Sequence, residues 1–265
     1  MAAVAVGDAL GLHIVRKGRA ARLLEQDLLT QFLREFAVDC VFDVGANVGQ
    51  YASLLRRIGF RGFIISFEPI PNLAKQLRLA AAKDRRWFVE ALALDESEGD
   101  VVFNVMAAQT LSSLKRPSHS ETSLFEGENV VVEAIPIRTS RLEKLFDTHQ
   151  KKLGFQRPFL KMDTQGSDLA VARGAGDRLQ RFVGLQSELS IKRIYEHQSD
   201  YRESIDFFES AGFVLSGFFP NTYGYFPDLI ETDCIMYNPA FRDRLDGARR
   251  CVRRPQIDVN SGASG

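Results

Sequence analysis

One stretch near the start of the chain, residues 41–50, most constrains how this sequence can fold. It reads Val-Phe-Asp-Val-Gly-Ala-Asn-Val-Gly-Gln, so an apolar, β-branched run leads into a turn with two glycines. Apolar residues at helical spacing come next: Tyr51, Leu54, Leu55 and Ile58. The order strand, glycine turn, helix predicts a ligand-binding turn at the carboxyl end of a strand in an open α/β sheet.

The chemistry of this turn favours a cationic cofactor over a dinucleotide. Dinucleotide sites typically read G-x-G-x-x-G, whereas this loop reads G-A-N-V-G and follows a carboxylate, Asp43. S-adenosylmethionine carries a sulfonium and an ammonium and no phosphate, so the loop predicts that cofactor. A nicotinamide-dependent oxidoreductase and a non-catalytic cofactor-binding protein stay open as alternatives.

Further acidic residues follow predicted strands. Glu68 ends the second strand, 19 residues beyond Gly49, which is about the distance at which an acidic residue binds a ribose diol. Asp163 and Glu188 end two later apolar runs. Together with Asp43 they predict a cluster of acids at one edge of the sheet. Because carboxylates repel one another, we expect positive charge or hydrogen-bond donors among them.

Composition excludes several classes of protein. The chain has 265 residues and equal numbers of basic and acidic side chains, 34 each, which argues against a nucleic-acid partner. Three widely spaced cysteines without a C-x-x-C pair argue against disulfides and predict a reducing, cytoplasmic location. No stretch is long enough to span a bilayer, although basic clusters near both ends leave peripheral membrane contact open. The sequence indicates no oligomeric state.

Alternating strand and helix patterns predict one α/β domain over residues 40–240, built on a doubly wound, mostly parallel sheet. A helical lead-in is predicted before it, at 1–39, and a basic, disordered tail after it, at 241–265. The polar residues 107–129 predict a surface loop, either a lid or a disordered segment. The aromatic loop at 217–227 is interpreted either as a wall for the acceptor or as a small hydrophobic core.

With these motifs assembled, the chain resembles the FkbM family of S-adenosylmethionine-dependent methyltransferases, from Cys40 to Pro239. The resemblance rests on residues 42–50, 66–69, 91–95, 160–166 and 187–188. It implies a Rossmann-like methyltransferase fold of seven strands with an antiparallel last strand. It also implies O-methylation of a small-molecule or glycan acceptor with a free hydroxyl, such as a sugar, glycolipid or secondary metabolite.

The resemblance assigns roles to individual residues. It implies cofactor contacts at five positions: Asp43, Gly45, Asn47, Gly49 and Glu68. Asp95, which closes the third predicted strand, is a further predicted cofactor contact. It places Asp163 near the transferred methyl group, where this residue serves as a base or binds acceptor or cofactor. Candidates for the base are Asp163, Glu188 and His197. The chain departs from the family at Gln165, where many members have Glu. With one carboxylate fewer beside Asp163, we expect no metal ion.

Overall fold

The computed structural model describes residues 20–221 and 225–242, so most of the predicted tail and the first half of the predicted lead-in lie outside the described residues. The described chain contains six α-helices: α1 (Ala20–Glu35), α2 (Gln50–Arg57), α3 (Pro71–Ala81), α4 (Leu142–Leu153), α5 (Asp168–Gly174) and α6 (Tyr201–Ser210). Shorter 3-10 helices cover Gln109–Leu111, Gly176–Arg181 and Pro239–Phe241.

Ten strands alternate with these helices: β1 (Cys40–Val44), β2 (Phe63–Phe67), β3 (Trp87–Glu90), β4 (Ala93–Leu94), β5 (Gly99–Met106), β6 (Val131–Ser140), β7 (Pro158–Met162), β8 (Gly184–Ser190), β9 (Val214–Pro220) and β10 (Glu231–Tyr237). Seven of them form the main sheet in the order β3-β2-β1-β7-β8-β10-β9. Its pairs are parallel except those of β10, which runs antiparallel to β8 and β9. This confirms the predicted doubly wound sheet and its antiparallel last strand.

Helices cover both faces of the main sheet because its central strands are apolar on both sides. Val41 of β1 packs in the cluster with residues of α1, α2 and α3. Its neighbour Phe42 points to the opposite face, where its ring lies 5.8 Å from Phe146 of α4 and 5.4 Å from Phe182. Helix α1 is therefore part of the core, although its residues precede the first strand.

The sequence pattern predicts a single strand over residues 87–94, but the structure divides it. Strand β3 ends at Glu90, and β4 begins at Ala93 in a second sheet of order β4-β6-β5. Phe103 of this sheet packs in a cluster with Leu73 of α3. The pattern hides the break because residues on both sides of it are apolar and buried or partly buried.

No helix among the described residues is long and apolar enough to cross a membrane. Cys40 and Cys234 are buried free thiols in β1 and β10, and Cys251 lies outside the described residues.

Candidate active site

The predicted acids converge because of the register of the main sheet. Val44 of β1 lies opposite Met162 of β7, and Met162 lies opposite Ser187 of β8. Antiparallel β10 then pairs Asp233 with Glu188. Gly45, Glu68 and Asp163 directly follow β1, β2 and β7, and the paired Glu188 and Asp233 lie within β8 and β10 near the same edge, so these residues share one rim of the sheet. Strand β8 continues to Ser190, beyond its predicted end at Glu188.

A cavity of 360 Å³ opens at this rim, a size typical of small-molecule sites. Four of the predicted site residues line it: Gly45, Asn47, Glu68 and Asp163. Five others are not among the lining residues: Asp43, Gly49, Asp95, Glu188 and His197. Position in the cavity does not by itself test a contact with a ligand, so all of these assignments stay predictions.

Glu68 accepts hydrogen bonds from both the glycine loop and the residue before α3. Its Oε2 accepts a hydrogen bond from the Asn47 N–H at 2.9 Å, and its Oε1 accepts one from the Ile70 N–H at 2.8 Å. Each oxygen keeps a second lone pair for a ligand. Burial raises the pKa of Glu68 to about 7, against the two backbone hydrogen bonds that lower it. A diol that donates hydrogen bonds to this carboxyl therefore favours its ionised form.

At each of the two glycines of the loop, an added Cβ would collide with other atoms of the protein. At Gly45, with φ +77°, a Cβ would lie 1.8 Å from the carbonyl oxygen of Asp163. At Gly49, with φ +91°, it would lie 2.8 Å from the indole ring of Trp87. The sequence suggests that a side chain at this turn would obstruct a ligand. The structure adds another reason for glycine, which is close packing against the segment after β7 and against Trp87.

Asp43 is fully buried beneath the cavity floor, and its cationic partner is a lysine of the protein. Its Oδ1 lies 3.3 Å from Lys161 Nζ, and its Oδ2 accepts a hydrogen bond from Ser66 Oγ at 3.0 Å. Burial alone lowers the pKa of Lys161, but Asp163 and Asp43 together outweigh it and raise that pKa above its usual range. Lys161 is therefore the positive charge expected among the acids, although the sequence did not identify it.

Asp163 reaches the cavity from the end of β7. Its side chain is 42% exposed, its Oδ2 lies 3.6 Å from Lys161 Nζ, and its Oδ1 accepts a hydrogen bond from Gln165 Nε2 at 3.0 Å. The same Nε2 donates to Glu188 Oε2 at 2.9 Å. Burial raises the pKa of Glu188 well above its ordinary value, and Glu231 and Asp163 raise it further. Asp163 thus combines access to the cavity with contacts to Lys161 and Gln165 that hold its side chain.

His197 and Asp95 are predicted site residues that do not line the cavity. His197 is exposed, has φ +54°, and offers its backbone carbonyl to Lys115 Nζ at 2.8 Å. Asp95 is partly buried directly after residues 92–94, which line the cavity, and its N–H donates to the Ser140 carbonyl. Burial raises the pKa of Asp95. Both would require a ligand that extends beyond the lining residues.

Sequence reasoning missed the polar residues at the β8–β10 end of the cavity: Glu25, Tyr51, Gln186 and Asp233. The Tyr51 hydroxyl donates to Gln186 Oε1 at 2.8 Å, and Gln186 Nε2 donates to Glu25 Oε1 at 2.6 Å. Burial raises the pKa of Glu25, and that of Asp233 well above its ordinary value. The signal available in the sequence was a polar residue within a predicted strand, as at Gln186 in β8 and Lys161 in β7.

The two loops singled out from the sequence differ in their relation to the cavity. In the 107–129 loop, Gln109, Thr110, Ser112 and Leu114 line it. The described residues of the 217–227 loop do not, and Phe226 is 95% exposed. Among the described residues, no group of three His, Cys, Asp or Glu side chains is arranged to hold a metal ion. The expectation that the reaction needs no metal stays a prediction.

Comparison with known proteins places this geometry in context. A family model described as the methyltransferase FkbM domain matches residues 43–215, more than half of the chain. A search of curated proteins found no match.

Solved structures that resemble this chain include three methyltransferases or related proteins. Magnesium protoporphyrin IX methyltransferase from Synechocystis PCC 6803, with bound SAM, is 10% identical, has a TM-score of 0.45 and aligns over 83% of this chain and 81% of that one. Precorrin-6y C5,15-methyltransferase from Geobacter metallireducens is 11% identical and has a TM-score of 0.40. The alignment covers 80% of this chain and 88% of that one. Fibrillarin from Aeropyrum pernix is 14% identical and has a TM-score of 0.41. The alignment covers 75% of this chain and 66% of that one. At such identities and TM-scores these likenesses say nothing about the acceptor.

Proposed function

Since this chain belongs to the FkbM family of methyltransferases, we propose that it methylates a hydroxyl oxygen on a small-molecule or glycan acceptor. Its cofactor is S-adenosylmethionine. The observation that carries the proposal is the Asp163 carboxylate, exposed to the cavity and held between Lys161 and Gln165. A hydroxyl is a weak nucleophile until its proton has an acceptor, and this carboxylate supplies one.

The residues of the cavity fit the cofactor. The glycine loop, with Gly45 and Asn47, and the Glu68 carboxyl offer backbone groups and a diol acceptor at the β1–β2 end. Apolar side chains beside them offer a slot for a flat ring: Ile70, Leu73, Leu92, Leu94 and Phe103. Carboxylates along the rim suit the cofactor's positive charges. When bound, S-adenosylmethionine supplies an electrophilic methyl group on a good leaving group.

The residues of this chain align the acceptor hydroxyl with the cofactor and accept the proton of that hydroxyl. Alignment of two reactants contributes an effective molarity of roughly 10⁵ M or more, whereas a general base contributes about 10²–10⁴-fold. In the proposed reaction, Asp163 accepts the hydroxyl proton, and Lys161 and Gln165 hold its carboxylate in place. Glu188 is less well placed to be the base, because it is not among the residues that line the cavity.

The β8–β10 end of the cavity is assigned to the acceptor. Its side chains are Glu25, Tyr51, Gln186 and Asp233, and carboxylates and amides are good acceptors for the hydroxyl groups of a sugar. This polar lining supports a polyhydroxylated acceptor over an apolar one. A cytoplasmic location and the absence of a nucleic-acid partner remain predictions from cysteine content and net charge.

The proposal is tested with labelled S-adenosylmethionine and a panel of hydroxylated acceptors, including free sugars and glycolipids. We expect label in a product that is stable to base, as an ether is and an ester is not. For Asp163→Asn we expect kcat to fall by about 10²–10⁴-fold, with affinity for S-adenosylhomocysteine little changed. Asp206→Asn, on the exposed face of α6, serves as the matched control.

Two results would contradict this function. Wild-type kcat in Asp163→Asn would remove that residue as the base. Binding of the cofactor without transfer to any acceptor would favour the alternative of a non-catalytic cofactor-binding protein.

A further inference from the structure

The side-chain amide of Gln165 connects the two carboxylates at the centre of the rim. Its Nε2 donates to Asp163 Oδ1 at 3.0 Å and to Glu188 Oε2 at 2.9 Å. The amide orientation is fixed by this chemistry, because the reverse orientation would place Oε1 against both carboxylates. One neutral group therefore satisfies two acids that would otherwise face each other directly.

The remainder of Gln165 is held from other sides. Its backbone has φ +54°, a region that residues other than glycine rarely adopt. Ser113 Oγ donates to its carbonyl oxygen at 2.6 Å, and the Tyr195 hydroxyl lies 2.9 Å from its Oε1. The 107–129 loop and the segment after β8 thus both fix this residue. A strained conformation maintained by several partners at a site rim points to a functional role.

We propose that Gln165 is a positioning residue whose amide takes the place of a bridging cation between Asp163 and Glu188. Closely spaced carboxylates are stabilised either by a divalent ion or by hydrogen-bond donors. Here the two N–H groups of Gln165 are the donors, and Asn221 Nδ2 adds a third, to Glu188 Oε1 at 2.7 Å. The bridge holds Asp163 toward the cavity. Its catalytic consequence rests on the proposed function, whereas the bridge itself rests on geometry.

Replacing the amide by a carboxylate of the same length tests the bridge directly. In Gln165→Glu, three carboxylates meet without the two N–H donors, and hard divalent ions prefer carboxylate oxygens. The test is a titration of Mn²⁺ alone into the 265-residue chain, followed by calorimetry and by electron paramagnetic resonance. We expect Gln165→Glu to bind one Mn²⁺ with a dissociation constant on the order of 1 mM or tighter. We expect the wild type to bind it at least about tenfold more weakly.

A second variant separates the hydrogen bonds from the added charge. Gln165→Met keeps the side-chain length but has neither donors nor charge, so Asp163 loses its fixed position. We expect kcat to fall by roughly tenfold to a hundredfold, because small displacements of a reacting group are costly, while affinity for S-adenosylhomocysteine is retained. We also expect Mn²⁺ to restore turnover in Gln165→Glu but not in Gln165→Met, a difference that a merely structural role would not produce.

The outcomes distinguish the bridge from the reaction. Equal Mn²⁺ affinity in the wild type and Gln165→Glu would overturn the bridge, and so would unchanged kcat in Gln165→Met. If no hydroxylated acceptor is methylated by the wild type, the proposed function fails, but the Mn²⁺ titrations still decide whether the amide substitutes for a cation.

Discussion

Glu68 shows how burial sets the charge of a single group at the cavity. Its pKa is raised to about 7 in the folded protein, from an ordinary value of 4.5. The folded chain therefore holds this proton more tightly than the unfolded chain does. The resulting contribution to stability is fully present below pH 4.5 and is lost as the pH rises through about 7. A ligand that binds the ionised form of Glu68 must therefore displace this proton.

We accordingly expect cofactor binding to release a proton from Glu68. Binding should be about tenfold weaker at pH 6 than at pH 8, because at pH 6 most of this carboxyl is protonated. Calorimetry of S-adenosylhomocysteine in buffers of different ionisation enthalpy measures both the affinity and the proton count. Glu68→Gln should bind more weakly at both pH values and lose this part of the pH dependence. An unchanged profile in Glu68→Gln would assign the titration to another acid.

Gly45 offers a test of the contact between β1 and β7. A Cβ there would lie 1.8 Å from the Asp163 carbonyl oxygen, whereas at Gly59, also with positive φ (+94°), nothing lies within 4 Å. Gly59→Ala should therefore cost only the conformational term, about 1–2 kcal/mol. Gly45→Ala adds displacement of the Asp163 backbone, so we expect the larger loss in the free energy of unfolding, measured in urea. Equal losses would show that the loop shifts freely.

Some individual site residues could be found from the sequence, and others could not. Glu68 and Asp163 follow apolar runs directly, so their position at strand ends was visible. The partnership of Asp43 with Lys161 depends on which strands are neighbours and in which register, which a local pattern does not contain. Gln165 was noticed as a missing charge, but its two hydrogen bonds required coordinates.

At the scale of elements, α1 is an integral part of the domain. Phe32 is 4% exposed, and its ring lies 5.2 Å from the ring of Phe159 in β7. A Cβ added to Gly184 would lie 2.3 Å from the Phe32 ring. We expect Phe32→Ala to lower the free energy of unfolding by about 3–5 kcal/mol. Leu24, on the same helix and 64% exposed, is the matched control, and its replacement by Ala should cost no more than about 0.5 kcal/mol. Similar small losses in both would mean that α1 packs loosely.

Sequence periodicity predicted the individual strands more readily than it predicted which strands share a sheet. Strands β1, β2 and β7 are short, mostly apolar runs followed directly by Gly45, Glu68 and Asp163, and the structure confirms each of them. The division of residues 87–94 between two sheets was not predictable, since β3 and β4 are both apolar. The 107–129 segment is polar in sequence, yet Ser113 and Asn129 are fully buried. Each donates a hydrogen bond to a distant segment, Ser113 Oγ to the Gln165 carbonyl and Asn129 Nδ2 to the Ile194 carbonyl.

At the scale of the whole molecule, a balanced composition conceals a local excess of acid. The net charge is zero, yet Lys161 is the one basic side chain among the described residues that line the cavity. Four acids line it as well: Glu25, Glu68, Asp163 and Asp233. The fold collects these groups from elements distant in sequence. Composition therefore could not predict the charge of the site.

The placement of Glu25 on α1 and Asp233 on β10 has a consequence for how such enzymes diversify. Both elements lie outside residues 43–215, whereas the glycine loop and Glu68 lie inside them. Under the proposed assignment, part of the acceptor end is encoded outside the matched domain, at Glu25 and Asp233, whereas Tyr51 and Gln186 lie inside it with the glycine loop. Substitutions at Glu25 or Asp233 would therefore alter the acceptor end while the sequence of the glycine loop stays unchanged.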